Sequence, residues 1–591
     1  MMNAVTRAAV GMALLLVGTA TLAQEPGHAE EGLEIDLRQE SRITEERFEA
    51  VCRTPNLKVL WLKGLECTEK TAPFLQLAQN LRVIHIGDMS YRARPVFFGT
   101  IARMPQLKVL EIDASSDLKA MAALRGLVHL EELAVHGLYD NGSAGPLFAP
   151  TLKNLMLDGC SLEPSAWSNL SEIPLDSLRL YNMTLRDNVM RYLTAMTSLR
   201  RLDMPESRCT PEALEKLGQL RQLESLDISA PRIDTLVTPG VTSAVLMSLG
   251  ESLKELRELR IRFAHMRDFT CLKAFTKLRL LDARGIKFPL MTAQFSDFVN
   301  DARNLEVLYL VDTGGDSDGS LFSAIRQAPK LKILLVGSSD PDNAWGSSDL
   351  LPRLEGHPTL EALRVSNLQQ ESNYITPLGG VVRRFPSLPQ LKLVTFEGCD
   401  IQESAVTDLA KLPRIETLKF VRCGWQEGSG LEPFKGQSTI KELSFRGTDL
   451  FGRTAEPLGT MKKLETLDLG STELSGDVIG HLQAVTSLRS LVLDHCEVVD
   501  RDLKPLEGFP PLTTLSLART SVTDWGVETI SRVSTLRRLS LEGTPITRNS
   551  LEHLARMKRL RQLNVTATPL GRENELIVLG GILPDCAIEP R

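Results

Sequence analysis

This chain of 591 residues is poor in several things, and each shortage removes a class of function. Aromatic residues make up only 5% of it, too few for the ring platforms that stack nucleic-acid bases. Basic charge is not in excess. The 68 Lys and Arg stand against 74 Asp and Glu, mixed along the whole length, and a net charge of −6 leaves no basic face to displace counterions from phosphates. A nucleic-acid partner is therefore not expected. Past the first 23 residues no apolar run is long enough to span a bilayer, so no integral membrane segment is expected after signal removal. Catalytic signatures are missing as well: there is no HExxH, no Walker loop, no dinucleotide fingerprint and no CxxC pair. Neither an enzyme domain nor an organic cofactor is expected.

The first residues carry a pattern of their own. Arg7 precedes the apolar stretch AAVGMALLLVGTA, and the small residues of TLA end at Ala23. That order of charge, short apolar run and small residues predicts a secretory signal over 1–23, hence a secreted or periplasmic location. No cysteine follows the cleavage point, so a lipid anchor is not predicted. Residues 24–40 are polar and acidic and read as a flexible tether. Residues 41–56 hold Ile43, Phe48 and Val51 at helical spacing, which predicts a helical cap.

From Leu57 on, one outline recurs: apolar, two variable, apolar, one variable, apolar. The last seven copies start at Ile415, Ile440, Leu464, Leu488, Leu512, Leu536 and Leu560, at steps of 25, 24, 24, 24, 24 and 24 residues. Counting back through Leu391, Leu360, Leu331, Leu305 and earlier starts to Leu57 gives 21 units. Positions 1, 4 and 6 of each unit then point inward from a short strand, and positions 3, 5 and 7 point to the other face. Apolar residues three apart follow, as in Val527, Ile530 and Val533, and suit a helical or 3₁₀ turn. No unit buries its apolar face alone, so successive units must stack. The expected fold class is an α/β solenoid: a horseshoe with a parallel β-sheet on the concave face and helical or 3₁₀ turns on the convex face.

Position 9 is small and polar. The last eight units carry Cys399, Cys423, Thr448, Thr472, Cys496, Thr520, Thr544 and Thr568 there, and Cys160 holds the same place earlier. A buried turn leaves backbone groups that need partners, and a hydroxyl or thiol supplies one. These residues form a structural ladder. Cys67 and Cys209 sit at position 11, where a thiol acts as a small hydrophobe. Cys52 and Cys67 are near enough in sequence to bridge the N-terminal cap. With the ladder included, residues 43 to 591 resemble the leucine-rich repeat family, whose members often carry asparagine at position 9. The Thr and Cys ladder and the closing LGGILPDCAIEPR are similar to a group of secreted bacterial leucine-rich repeat proteins of planctomycete type. That likeness implies a C-terminal cap over 572–591 with Cys586 and Ile588 turned inward. The units also resemble the cysteine-containing repeats of F-box proteins, but no F-box precedes them.

Spacing divides the array into regular repeats over 57–222, irregular ones over 223–390 and regular 24-residue ones over 391–571. Between Leu223 and Leu391 the steps are 33, 22, 27, 26, 29 and 31, so this part carries inserted loops. One loop holds Gly315-Asp316-Ser317-Asp318-Gly319, the G-x-S-x-G string of serine hydrolases, with His357 the nearest later histidine. Two aspartates beside Ser317 oppose a developing oxyanion, so a Gly/Asp turn fits better. Asp312, Asp316 and Asp318, with Asp340, Asp342 and Asn343 from the next unit, offer oxygen ligands suited to calcium, or else solvated turns. The string departs from an EF-hand at Gly314 and Ile325.

Most units carry charged or hydroxyl residues at positions 3, 5 and 7. Three consecutive units instead carry Leu280, then Val307, Tyr309 and Val311, then Ile333 and Leu335, flanked by Arg260, Arg262 and Arg284. An apolar concave patch with a basic flank is the expected binding site for a protein partner, unless the inserted loops cover it. Trp61, His85 and His136 share that face nearer the N-terminus. The expected function is a non-enzymatic extracytoplasmic binding protein. The alternatives are a hydrolase using Ser317 and a surface protein that self-associates through Tyr309.

Overall fold

The computed structural model describes residues 33–37, 43–62, 67–87, 94–113, 125–138, 148–230, 240–266, 268–286, 292–313, 319–339, 345–369, 381–425, 430–448, 450, 455–473, 477–509, 511–583 and 586–589. The export signal expected over 1–23 and most of the expected tether lie outside these residues. The frame is one parallel sheet of 23 strands in chain order. Each of the 21 units counted in the sequence contributes one strand, from Leu57–Leu62 to Gln562–Asn564. Each end of the chain adds one more. Ala587–Glu589 pairs with Gln562–Asn564 and closes the C-terminal edge. At the other edge Leu33–Asp36 pairs with Leu57–Leu62, and Leu37 is fully buried. Residues 33–37 are therefore not tether but the first strand, because a parallel edge strand with open N–H and C=O groups pairs with any extended segment that reaches it.

Register is kept from unit to unit. Position 4 aligns with position 4, as in Leu515, Leu539 and Leu563. Inward residues at positions 1, 4 and 6 are almost wholly excluded from solvent, and position 6 stacks Phe396, Phe420 and Phe445 face to face with ring centroids 5.8 and 5.4 Å apart. The convex side alternates short α-helices such as Asp524–Ser531 with 3₁₀ turns such as Glu456–Thr460. Irregular spacing between 223 and 390 does not interrupt the sheet, since the extra residues fall in the connections. Two small side sheets form there and just beyond: Trp345–Ser347 with Leu368–Gln369, and Val381–Val382 with Asp400–Ile401 and Gly424–Trp425.

The N-terminal cap is the helix Glu45–Cys52, opened by the Thr44 side chain accepting from the Arg47 N–H at 3.2 Å and burying Phe48, Val51 and Cys52. The C-terminal cap is the helix Glu573–Ile582 followed by the last strand, with Cys586 and Ile588 partly buried against the core. All nine cysteines are thiols, so Cys52 and Cys67, both buried, are not joined in a disulfide.

Candidate concave-face site

Strand register brings the apolar residues of the central units together. Leu280, Val307 and Ile333 lie side by side in one row, which continues through Ala362 to Leu393. The next row runs Asp282, Tyr309, Leu335, Arg364 and Thr395. Leu280, Val307, Tyr309, Val311 and Leu335 are half-buried, open on the concave side. Ile333 is not: it shares the concave row with Val307 and Ala362 but is only 2% exposed, so it offers no docking surface.

The three flanking arginines are not an open basic flank. Arg260 lies 3.2 Å from Glu258, and Arg262 reaches Asp227 at 3.4 Å and donates to the Ser229 hydroxyl at 3.0 Å. Arg284 grips the buried carboxylate of Asp282 with two bonds of 2.8 and 2.6 Å and sits over the Tyr309 ring at 5.5 Å. Burial pushes the Tyr309 phenol up to about 12, so it stays a neutral hydrogen-bonding group at any ordinary pH. Apolar side chains beside a charge-balanced network are what this part of the face presents. Glu258 and Asp282 stand two residues before Arg260 and Arg284 on the same strands and are equally visible in the sequence, whereas Asp227 reaches Arg262 from the preceding unit.

No family model matches the chain, and no curated protein matches it. Solved structures do. A Listeria monocytogenes internalin shares 16% identity over 63% of this chain and 82% of its own, with a TM-score of 0.33. A leucine-rich repeat protein of Leptospira interrogans shares 16% over 81% of this chain and 94% of its own, with a TM-score of 0.35. The TLR13–ssRNA13 complex shares 17% over 83% of this chain and 70% of that one, with a TM-score of 0.50. This is a leucine-rich repeat solenoid. At such identities the likeness is one of fold.

The solenoid settles what several loop and turn residues do. Thr520 donates to the Leu517 carbonyl at 2.7 Å, Thr472 to Leu469, Thr544 to Leu541 and Thr568 to Val565, each at 2.6 Å. Thr448 reaches across to the Phe420 carbonyl of the preceding unit at 3.1 Å. The thiols of Cys160, Cys399, Cys423 and Cys496 point at backbone carbonyls between 3.0 and 3.9 Å. Thr313 occupies the same ladder place in an irregular unit, donating to Leu310 at 2.8 Å. Asp312 has both carboxylate oxygens engaged with the next unit, accepting from the Ser339 N–H at 2.6 Å and from the Ser339 and Ser338 hydroxyls at 2.7 and 3.1 Å. It ties two loops together. Asp316, Ser317, Asp318, Asp340, Asp342 and Asn343 lie outside the described residues, and among the described residues no group of three or more metal-ligating side chains gathers. His357 is fully buried. Its Nε2–H donates to the Ile325 carbonyl at 3.1 Å, and its Nδ1 accepts from the Thr359 and Leu360 N–H groups. Burial lowers its pKa, and neither nitrogen is left for a serine.

Near the N-terminus the concave side chains form a continuous chain across seven strands of the solenoid. The Trp61 indole donates to Glu34 at 2.6 Å and stacks on the His85 ring, 3.5 Å between centroids and 9° from parallel. His85 Nδ1 meets one Glu111 oxygen at 2.6 Å, and His136 Nε2 meets the other at 3.3 Å. His136 Nδ1 reaches Asp158 at 3.1 Å, and Asn182 donates to Asp158 at 2.6 Å. With both ring nitrogens against carboxylates, His136 bonds to both only when doubly protonated. The hydrogen bond to Glu111 raises its pKa, and in return the bonds from His136 and His85 hold Glu111 down at about 2. Trp61, His85 and His136 are thus one linked unit, a grouping invisible until the strands are paired.

Proposed function

We propose that this solenoid is a non-enzymatic, extracytoplasmic binding protein that holds a protein partner on the central part of its concave face. The observation that carries the proposal is the half-buried apolar cluster of Leu280, Val307, Tyr309, Val311 and Leu335, gathered on three adjacent strands around one aromatic ring. Partly exposed apolar side chains gathered on adjacent strands, with an aromatic at their centre, suit the core of a protein interface. The arginines beside them, each matched by a carboxylate, suit an interface rim and give little to a polyanion. The TLR13 complex contains single-stranded RNA by its name, but the charge balance here favours protein. The apolar run before Ala23 supports export. A hydrolytic role for Ser317 lacks its base, since His357 is buried and engaged with backbone groups.

The test is a cross-linking pull-down from the native extracytoplasmic fraction, with the mature protein beside a Tyr309→Glu/Leu335→Glu variant that keeps its melting temperature. A partner captured by the first bait and lost by the second supports the central face. Capture by both moves the site to the loops or the N-terminal face. Light scattering over a concentration series reads the rival in which the Tyr309 cluster pairs with a second copy.

A further inference from the structure

Four and five strands toward the N-terminus from Tyr309, the same row of concave side chains holds Asp203 and Arg179 side by side in register. They are an ill-matched pair. Arg179 Nε lies 3.6 Å from Asp203 Oδ2, too far for a hydrogen bond, and Arg179 Nε and Asp203 Oδ1 are both buried without any partner. Asp203 is 6% exposed, so its bare oxygen is not excused by water at the surface. Burial raises its pKa even with Arg201, Arg260 and Arg179 nearby, which fits a carboxylate short of donors. The neighbouring acid in the row has none of these defects: Asp227 accepts from the Ser229 N–H and hydroxyl at 2.9 and 2.6 Å. Nor does the next arginine, which has Glu258 at 3.2 Å.

One vacant donor and one vacant acceptor next to each other ask for a group that offers the reverse. A carboxylate would leave Asp203 Oδ1 bare and a cation would leave the Arg179 Nε–H bare, so a group carrying both a donor and an acceptor is what answers the pair. A carboxamide meets the demand: its C=O accepts from the Arg179 Nε–H, its N–H donates to Asp203 Oδ1, and it brings no charge. Arg179 keeps 36% of its side chain in solvent, so it can turn aside to admit such a group.

We propose that Arg179 and Asp203 form a slot for an Asn or Gln side chain of the protein that the concave face binds. The proposal rests on the binding role given above to that face and adds the chemistry of a second contact. Four to five strand spacings of about 4.8 Å place the slot about 19–24 Å from Tyr309, which an extended segment of about six or seven residues spans.

A peptide array tests it. Each peptide carries the same Leu-Phe-Leu anchor, and one residue five, six or seven places away on either side is varied among Gln, Asn, Glu, Arg, Leu and Ala. Gln or Asn at one of these spacings is expected to bind at least about tenfold better than the other four, the worth of hydrogen bonds to charged groups. The preference should vanish in Arg179→Met and in Arg179→Met/Asp203→Leu, while binding through the anchor stays. Either variant alone suffices if the other fails to fold. Anchor binding that is indifferent to the varied residue, that favours Glu or Arg, or that keeps its preference in the variants overturns the slot and leaves the apolar site standing. Binding that survives Tyr309→Glu/Leu335→Glu, or no binding by any peptide, overturns the apolar site and the slot with it.

Discussion

A single backbone torsion explains what the hydroxyls and thiols at position 9 can reach. The residue before it, at position 8, takes left-handed backbone torsions in unit after unit: φ is 59° at Gly159, 49° at Asn182, 63° at Asp312, 56° at Arg519 and 65° at Gly543. That turn ends the strand and swings residue 9 back over the carbonyl three residues earlier, which is why Thr520 finds Leu517. Gly, Asn and Asp tolerate this conformation, while Arg519 and His495 adopt it at a cost. Thr520 is 6% exposed, so its loss leaves the Leu517 carbonyl without that donor. Thr520→Val is expected to cost about 1–2 kcal/mol in denaturant unfolding. Thr520→Cys, which copies the thiols of Cys423 and Cys496, should cost less. Equal stability of the valine variant and the parent would show that the hydroxyl is dispensable.

Between elements, two kinds of polar link join neighbouring units. On the convex edge an aspartate accepts from the N–H and hydroxyl of a threonine one unit on: Asp500 from Thr523 at 2.8 and 2.6 Å, Asp524 from Thr547 at 2.8 and 2.6 Å, and Asp187 from Thr210 at 2.9 Å twice. Those threonines also open the following helix or 3₁₀ turn, so one side chain both caps and couples. On the concave side the N-terminal chain couples strands through ionised groups, and its stability follows pH. Glu111 titrates near 2 in the fold and near 4.5 outside it, so its contribution is whole above about 4.5 and is lost as pH falls toward 2. His136 titrates above 6.5 in the fold, so its contribution is whole below that value and fades as pH rises through the folded pKa. Hydrogen exchange in the strands Val83–Ile86, Val109–Asp113 and Glu132–His136 is expected to be slowest, after correction for intrinsic rates, between about pH 4.5 and 6.5. Protection there that does not change between pH 6 and 9, or is unaltered in His136→Gln, would rule this link out. His357 has the opposite sense: burial lowers its pKa, and its contribution is whole above 6.5 and weakens as pH falls.

As a whole molecule the solenoid has one continuous core drawn out along its length. Each unit packs only on its neighbours, so the two ends need covers. The C-terminal cover is the helix Glu573–Ile582, with Leu579 fully buried, and the strand that pairs with Gln562–Asn564. Deleting 572–591 would bare Leu560, Leu563 and an unpaired parallel edge. The truncated chain is expected to melt several degrees lower and to associate as its concentration rises, read by calorimetry and light scattering. A monomer of unchanged melting temperature would show that the last unit needs no cover.

What the amino-acid sequence determined alone is the frame. The count of units, their parallel strands, the inward Leu columns and the small polar residue at position 9 all follow from a period near 24, because each of these depends on contacts that repeat identically along the chain. Tertiary structure decided everything that depends on which side chain lies beside which across units. Residues 33–37 became a strand because an open edge was there to receive them. Ile333 was closed over by its neighbours in the sheet, and Arg262 was matched to Asp227 from the neighbouring strand. Glu34, Trp61, His85, Glu111, His136 and Asp158 stand up to 27 residues from their partners in sequence yet share hydrogen bonds or a ring stack. A repeat specifies the columns, but the lateral contacts within the concave face belong to side chains that vary from unit to unit, and only the paired sheet brings them within reach of one another.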